Sequence, residues 1–215
     1  MQRLLEHGAD VNAQDEWGTS SLHLGAAKGH AAAVRLLLQH GAEVDACDSP
    51  GRTPLAAVSL WGAYTHMANP SILAFPSPHS AQGAYECAAA LVAAGADVNA
   101  QDDMGLTPLA RLSQTGMDEH AAATVRLLLA AGGDGCPALE AALHYENLAA
   151  LEVLLSAGVG ATALLAAKLE LTRTRRLAAD EALLLLRAGA GIERLPLHLK
   201  QFAIELAMRD CADRA

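Results

Sequence analysis

The hydrophobic positions of this chain recur at helical spacing in short runs, and the runs stop at glycines. Val34, Leu37 and Leu38 share one face ahead of Gly41, as Leu151, Leu154 and Leu155 do ahead of Gly158. Such spacing predicts amphipathic helices, and glycine suits the left-handed residue that ends them. Between the runs the chain turns polar in a fixed way. Residues 8–15 read GADVNAQD, 41–48 read GAEVDACD and 95–102 read GADVNAQD. Three residues after each stretch comes another glycine: Gly18, Gly51 and Gly105. Asp15 and Asp48 are 33 residues apart, a period that implies stacked supersecondary units rather than one globular core.

Within each unit the same punctuation returns. Asp15-Glu16-Trp17-Gly18 is a turn, Ser20 is placed to cap a short helix to about Ala27, and Gly29-His30 breaks it before the next helix. Thr53-Pro54-Leu55 and Thr107-Pro108-Leu109 are helix starts: the threonine caps, and proline fits a first turn that needs no backbone donor. The second helix of the third unit is expected over about His120 to Ala131. A fourth pair follows over Pro137 to Ala157, with a shortened hairpin at Gly132-Gly133-Asp134-Gly135. A fifth pair is expected over Thr162 to Glu170 and Arg176 to Arg187, closed by Gly189. Leu199, Phe202, Ala203 and Leu206 then share one face of a helix from Leu195 to Asp210, which would cover the last apolar surface.

The motifs Ser20-Ser21-Leu22-His23, Thr53-Pro54-Leu55-Ala56, Thr107-Pro108-Leu109-Ala110, Gly29-His30 and the three Gly-Ala-(Asp/Glu)-Val stretches together resemble the ankyrin repeat. The resemblance implies an all-α helical repeat solenoid with short β-hairpins, regular to about residue 131 and degenerate after it. It divides the chain into a partial repeat at 1–14, repeats at 15–47, 48–101, 102–131, 132–157 and 158–189, and a cap at 190–215. The family's histidine after leucine stands only at His23; Ala56 and Ala110 take its place elsewhere.

Two irregularities stand out against this frame. Asp48 and Asp102 are 54 residues apart, so the second unit carries 21 extra residues, at about 62–82. The insertion holds Pro70, Pro76 and Pro78 but also Met67, Ile72, Leu73 and Phe75. Two readings stay open: a loop folded back on the repeats, or an arm that binds a partner. The second irregularity is the start. Met1 falls inside a second helix, so half a repeat leaves Leu4 and Leu5 uncovered. The expectation is that the natural chain began further upstream; a genuine short start is the alternative.

Composition narrows the function. Hydrophobic residues make up 52% of the chain but aromatic ones only 3%, so Ala and Leu supply the apolar mass of thin, closely packed helices. A net charge of −9 argues against nucleic acid and anionic membranes as partners. Cys47, Cys87, Cys136 and Cys211 are widely spaced, which fits neither a zinc site nor a disulfide framework. No secretory signal or long apolar span is visible, so an intracellular, cytoplasmic location is expected. His66 and His79 match no zinc spacing. Gly158-Val159-Gly160 and Gly189-Ala190-Gly191 lack the rest of a dinucleotide fingerprint. Arg173, Arg175 and Arg176 read as a solvated loop. No catalytic, cofactor or metal site is expected, and no small-molecule substrate.

The resemblance supplies the remaining expectations. In ankyrin-like proteins partners commonly bind the concave face formed by hairpin tips and first helices. Transferred by alignment, that face takes Glu16, Trp17, Thr19, Ala27 and Lys28 from the first unit, and Ser49, Pro50, Arg52, Leu60 and Trp61 from the second. The third contributes Asp103, Met104, Leu106, Gln114 and Thr115. Trp17, Lys28, Arg52, Leu60, Trp61, Met104, Leu106 and Gln114 are the candidate partner contacts, with tryptophan and arginine the best anchors. The competing reading packs Trp61 under the insertion and Trp17 against the next hairpin. The expected function is a non-enzymatic protein–protein interaction scaffold, monomeric unless the N-terminal end self-associates. The alternative is a substrate-recognition subunit of a ubiquitin ligase, with the C-terminal helices as adaptor contact. Some relatives are hydroxylated at the hairpin asparagine, where Asn12 and Asn99 stand, each with a leucine eight residues upstream (Leu4, Leu91).

Overall fold

A computed structural model describes residues 2–59, 81–115, 117, 119–160, 164–166, 168–169, 179–188, 190–193 and 195–213. Leu60, Trp61, the insertion as far as residue 80 and the arginines 173, 175 and 176 lie outside the described residues. The helices are α1 (Gln2–Glu6), α2 (Ser21–Ala27), α3 (Ala31–Gln39), α4 (Pro54–Val58), α5 (Ala81–Ala93) and α6 (Pro108–Leu112). They continue with α7 (Glu119–Ala130), α8 (Gly135–His144), α9 (Leu148–Ser156), α10 (Ala179–Arg187) and α11 (Leu197–Asp213). Residues 164–166 and 168–169 are helical as well. None of the described helices is long and apolar enough to cross a membrane.

The helices stack in two rows. α2, α4, α6 and α8 pack in succession, and α3, α5, α7 and α9 form the second row behind them. The sequence repeat explains the stack. Leu22, Leu55, Leu109 and Leu139 occupy one equivalent position in the first-row helices, and Leu37, Leu91, Leu128 and Leu154 one position in the second row; all eight are fully buried. Each such side chain contributes ~1.5–3 kcal/mol by leaving water. Small residues between them, among them Ala26, Ala88, Ala142 and Ala150, keep the layers thin. The closest approach is at Gly83 of α5, where a Cβ would lie 2.4 Å from the carbonyl oxygen of Gly29. Beyond α9 the apolar seam continues through Leu165, Leu169 and Leu185 to Leu195, Leu199 and Ala203, with α11 packed on α10.

Caps fix where the helices begin. The side chains of Ser20, Thr53 and Thr107 accept from the backbone N–H three residues on, at His23, Ala56 and Ala110. In the fourth pair Asp134 caps α8 and Asn147 caps α9. The helix therefore starts at Gly135, two residues before the proline that marks it in the sequence. The break between α8 and α9 copies the one between α2 and α3, with Glu146 (φ 52°) in the left-handed position of Gly29 (φ 67°).

Short β-hairpins are implied by the resemblance, yet among the described residues the only strand pairing is the isolated bridge between Gln14 and Ser20. The reason lies in the repeated aspartate. In each loop the aspartate N–H donates to the carbonyl four residues on: Asp15 to Thr19, Asp48 to Arg52, Asp102 to Leu106. The return bond of a ladder never forms, because the N–H of Thr19, Arg52 and Leu106 goes to the aspartate carboxylate instead. The loops are carboxylate-centred turns rather than strands.

Candidate functional site

The loop tips are built from one side chain each. Asp15 Oδ1 accepts the N–H groups of Trp17 and Thr19, both at 2.9 Å. Asp102 Oδ1 accepts those of Met104 at 2.8 Å and Leu106 at 3.1 Å. The tip glycines Gly18, Gly51 and Gly105 have φ between 71° and 74°, so the reversal after each tip needs a residue without a Cβ penalty. Two cations are drawn into this framework. Arg52 holds Asp48 through Nε at 2.8 Å and Nη2 at 2.5 Å, and Arg111 pairs with Asp102 through Nε.

Neighbouring tips are joined. Ser49 N–H donates to the Trp17 carbonyl at 2.8 Å, and Asp103 N–H donates to the Pro50 carbonyl at 3.1 Å. The bases of the loops are joined as well. Asn12 Nδ2 donates to the Gly41 carbonyl at 3.4 Å, while its Oδ1 accepts from Glu43 N–H at 2.8 Å. Asn99 repeats this with Gly132 at 3.0 Å and Asp134 at 2.8 Å. Asp45, at the equivalent position, accepts from Asp97 N–H at 3.0 Å. Both asparagines of the possible hydroxylation site thus already use their amide groups to fasten one unit to the next.

His23 is a further joint. Its Nε2 donates to the Arg52 carbonyl at 2.9 Å, and its Nδ1 accepts from Ser20 N–H at 3.2 Å. This pairing requires the neutral ring. Burial lowers its pKa below the ordinary 6.5, outweighing the opposing effect of the Arg52 carbonyl.

Six of the eight candidate contacts lie among the described residues. Trp17 is 45% exposed and Met104 74%, both at tips whose backbone is held by an aspartate. Lys28, at the C-terminal end of α2, is half-buried, as are Leu106 and Gln114. The Arg52 side chain is only 14% exposed, so Asp48 holds it more than solvent does. Leu60 and Trp61 lie outside the described residues. The sequence reading passed over one aromatic group. Tyr145 is 53% exposed at the end of α8, in the register of Lys28, and its ring meets His144 edge-on at 5.1 Å. The signal was there in the turn that follows, but glutamate at 146 hid the alignment with Gly29.

Two of the described thiols are poor nucleophiles. Burial pushes the Cys87 thiol up to about 12. The exposed Cys136 thiol is also raised, first by desolvation and then by Asp134. Both therefore stay protonated at neutral pH, when a nucleophile must be a thiolate. Among the described residues no group of three His, Cys, Asp or Glu side chains is placed to hold a metal ion.

Comparison with known proteins agrees with the architecture. The family model for ankyrin repeats (3 copies) matches residues 1–68. No curated protein matches the sequence. The chain thus carries ankyrin repeats in its N-terminal part, and the same capped helix pairs and glycine turns run on to α9.

Proposed function

We propose that this chain is a non-enzymatic scaffold that binds a protein partner on the face formed by its loop tips and first-row helices. Ankyrin repeats generally mediate protein–protein interaction, and the family is typically non-enzymatic. The observation that carries the choice of face is the exposure of Trp17 and Met104. Loop tips are ordinarily polar, and a large exposed apolar side chain on a rigid backbone fits an interface anchor, which loses little freedom on binding. Leu106, Gln114 and Lys28 would form the surrounding surface; Leu60 and Trp61, outside the described residues, remain candidates from the sequence alone. Arg52 serves this reading as a support for the middle tip. Tyr145 extends the face to the fourth unit.

The test is affinity purification with quantitative mass spectrometry, comparing the natural protein with a Trp17→Ala/Met104→Ala variant. The variant is expected to keep its melting temperature within a few degrees, since both side chains are exposed. It should lose its partner, by about 2 kcal/mol of affinity for each hot spot removed. Equal recovery of the same partners by both proteins would refute the face.

A further inference from the structure

We infer that the partner of this face is cationic: an extended protein segment carrying two basic–apolar pairs about six residues apart. The inference rests on the face proposed above and deepens it.

The charge distribution supplies the first argument. Residues 8–20, 41–53, 95–107 and 132–134 contain ten of the 24 acidic residues of the chain and one of its 15 basic ones, Arg52. These loops therefore carry a formal −9, the net charge of the whole protein, and the rest of the chain sums to zero. The pairs Arg52–Asp48 and Arg111–Asp102 are each neutral to a ligand, and with Arg111, whose Nη2 also reaches Met104 Sδ at 4.0 Å, counted the loops still carry a formal −8. Lys28 lies at the opposite end of α2 from the first tip. A one-signed edge of this kind attracts a partner of the other sign and disfavours an acidic one.

The second argument is local. At the first tip Glu16 precedes Trp17, and at the third Asp103 precedes Met104, in equivalent positions of the repeat. Both carboxylates are exposed, and neither makes a hydrogen bond or ion pair among the described residues. Each tip thus offers one free anion beside one large apolar surface. Between them stands the uncharged Ser49-Pro50 tip, tied to both neighbours by backbone hydrogen bonds. Stacked helices lie ~8–10 Å apart, so two such steps match five to six residues of extended chain at ~3.3 Å each. A segment with arginine or lysine next to an aliphatic residue, repeated at that interval, meets both tips at once.

The probe is a fluorescein-labelled peptide with two Arg–Leu pairs six residues apart on a glycine–serine background. Its controls carry Glu–Leu pairs, or the same Arg–Leu pairs three residues apart. Fluorescence anisotropy in 50 mM salt should show saturable binding of the six-residue peptide alone, weakened about tenfold in 300 mM salt. A Glu16→Gln/Asp103→Asn variant should melt with the natural protein and bind about tenfold more weakly. No binding at low salt, binding of the acidic control, or equal affinity of the variant would each overturn the inference. If the purification above still depends on Trp17 and Met104 while the peptide fails, the face stands and the cationic partner falls.

Discussion

Removal of the Asp102 carboxylate tests whether the third tip is held as described. One oxygen accepts the N–H groups of Met104 and Leu106, and the other pairs with Arg111, whose side chain is only 15% exposed while the carboxylate itself is fully buried. Replacing Asp102 by alanine strips two amides of their acceptor and strands a half-buried guanidinium. Breaking one partner of a buried ion pair typically costs ~3–5 kcal/mol. Asp15 is the internal control, because it also accepts two N–H groups but has no arginine partner and is exposed. Asp15→Ala should cost only ~1–2 kcal/mol. The difference isolates the ion pair, and Asp102→Ala/Arg111→Ala should then cost scarcely more than Asp102→Ala alone, since the second change removes a charge already stranded. The assay is urea denaturation of these four proteins and of Arg111→Ala alone, with hydrogen exchange at Met104 and Leu106 to localise the loss. In a solenoid each unit leans on its neighbours, so the exchange should rise first at the third tip and the helices beside it. If Asp102→Ala loses no more stability than Asp15→Ala, or if the two alanine changes add independently, the tip is not built around that carboxylate.

Two further outcomes follow from the joints between units. His23 has a pKa lowered by burial, so the unfolded chain takes up a proton below about pH 6.5 that the folded one refuses. Its contribution is complete above that pH and is lost as the pH falls. The stability gap between the natural protein and His23→Gln should therefore narrow from pH 8 to pH 5, and a constant or widening gap would contradict the neutral ring bridging Ser20 and Arg52. Glu146 sits at φ 52° where the first unit has glycine, and such a conformation costs a side-chain-bearing residue ~1 kcal/mol. Glu146→Gly should raise the melting temperature by ~2–4 °C, and a fall would show that the glutamate side chain stabilises the turn.

The fold was legible because the repeat is written in residues with narrow physical roles. Glycine after each second helix, serine or threonine before each first helix, and leucine at one position per helix each have one good structural reading, and together they place α2 to α9 to within a few residues. Prediction weakened where those residues were replaced by others doing the same work. Asp134 caps α8 in place of threonine, and Glu146 turns the chain in place of glycine. The exposed tip positions of Trp17 and Met104 were legible, since position in the repeat gives the tip directly. Arg52 was less so, because sequence shows a charge at a tip but not that Asp48 beside it takes up that charge.

The aspartates that announce the repeat are also the ones least available to a ligand. Asp15, Asp48 and Asp102 spend their carboxylates on the backbone of their own loops, and two of the three hold an arginine as well. Their identity is dictated by the turn, so their recurrence every unit says nothing of specificity. What differs from tip to tip is the pair that follows: Glu16-Trp17, Ser49-Pro50 and Asp103-Met104. The turn requires none of these side chains. They point outward from a backbone that the invariant part of the repeat has already made rigid. If the proposed face binds a partner, those two variable positions are where the tips can differ in what they select, and exchanging Ser49-Pro50 for a copy of Glu16-Trp17 should alter partner choice while leaving the stack intact.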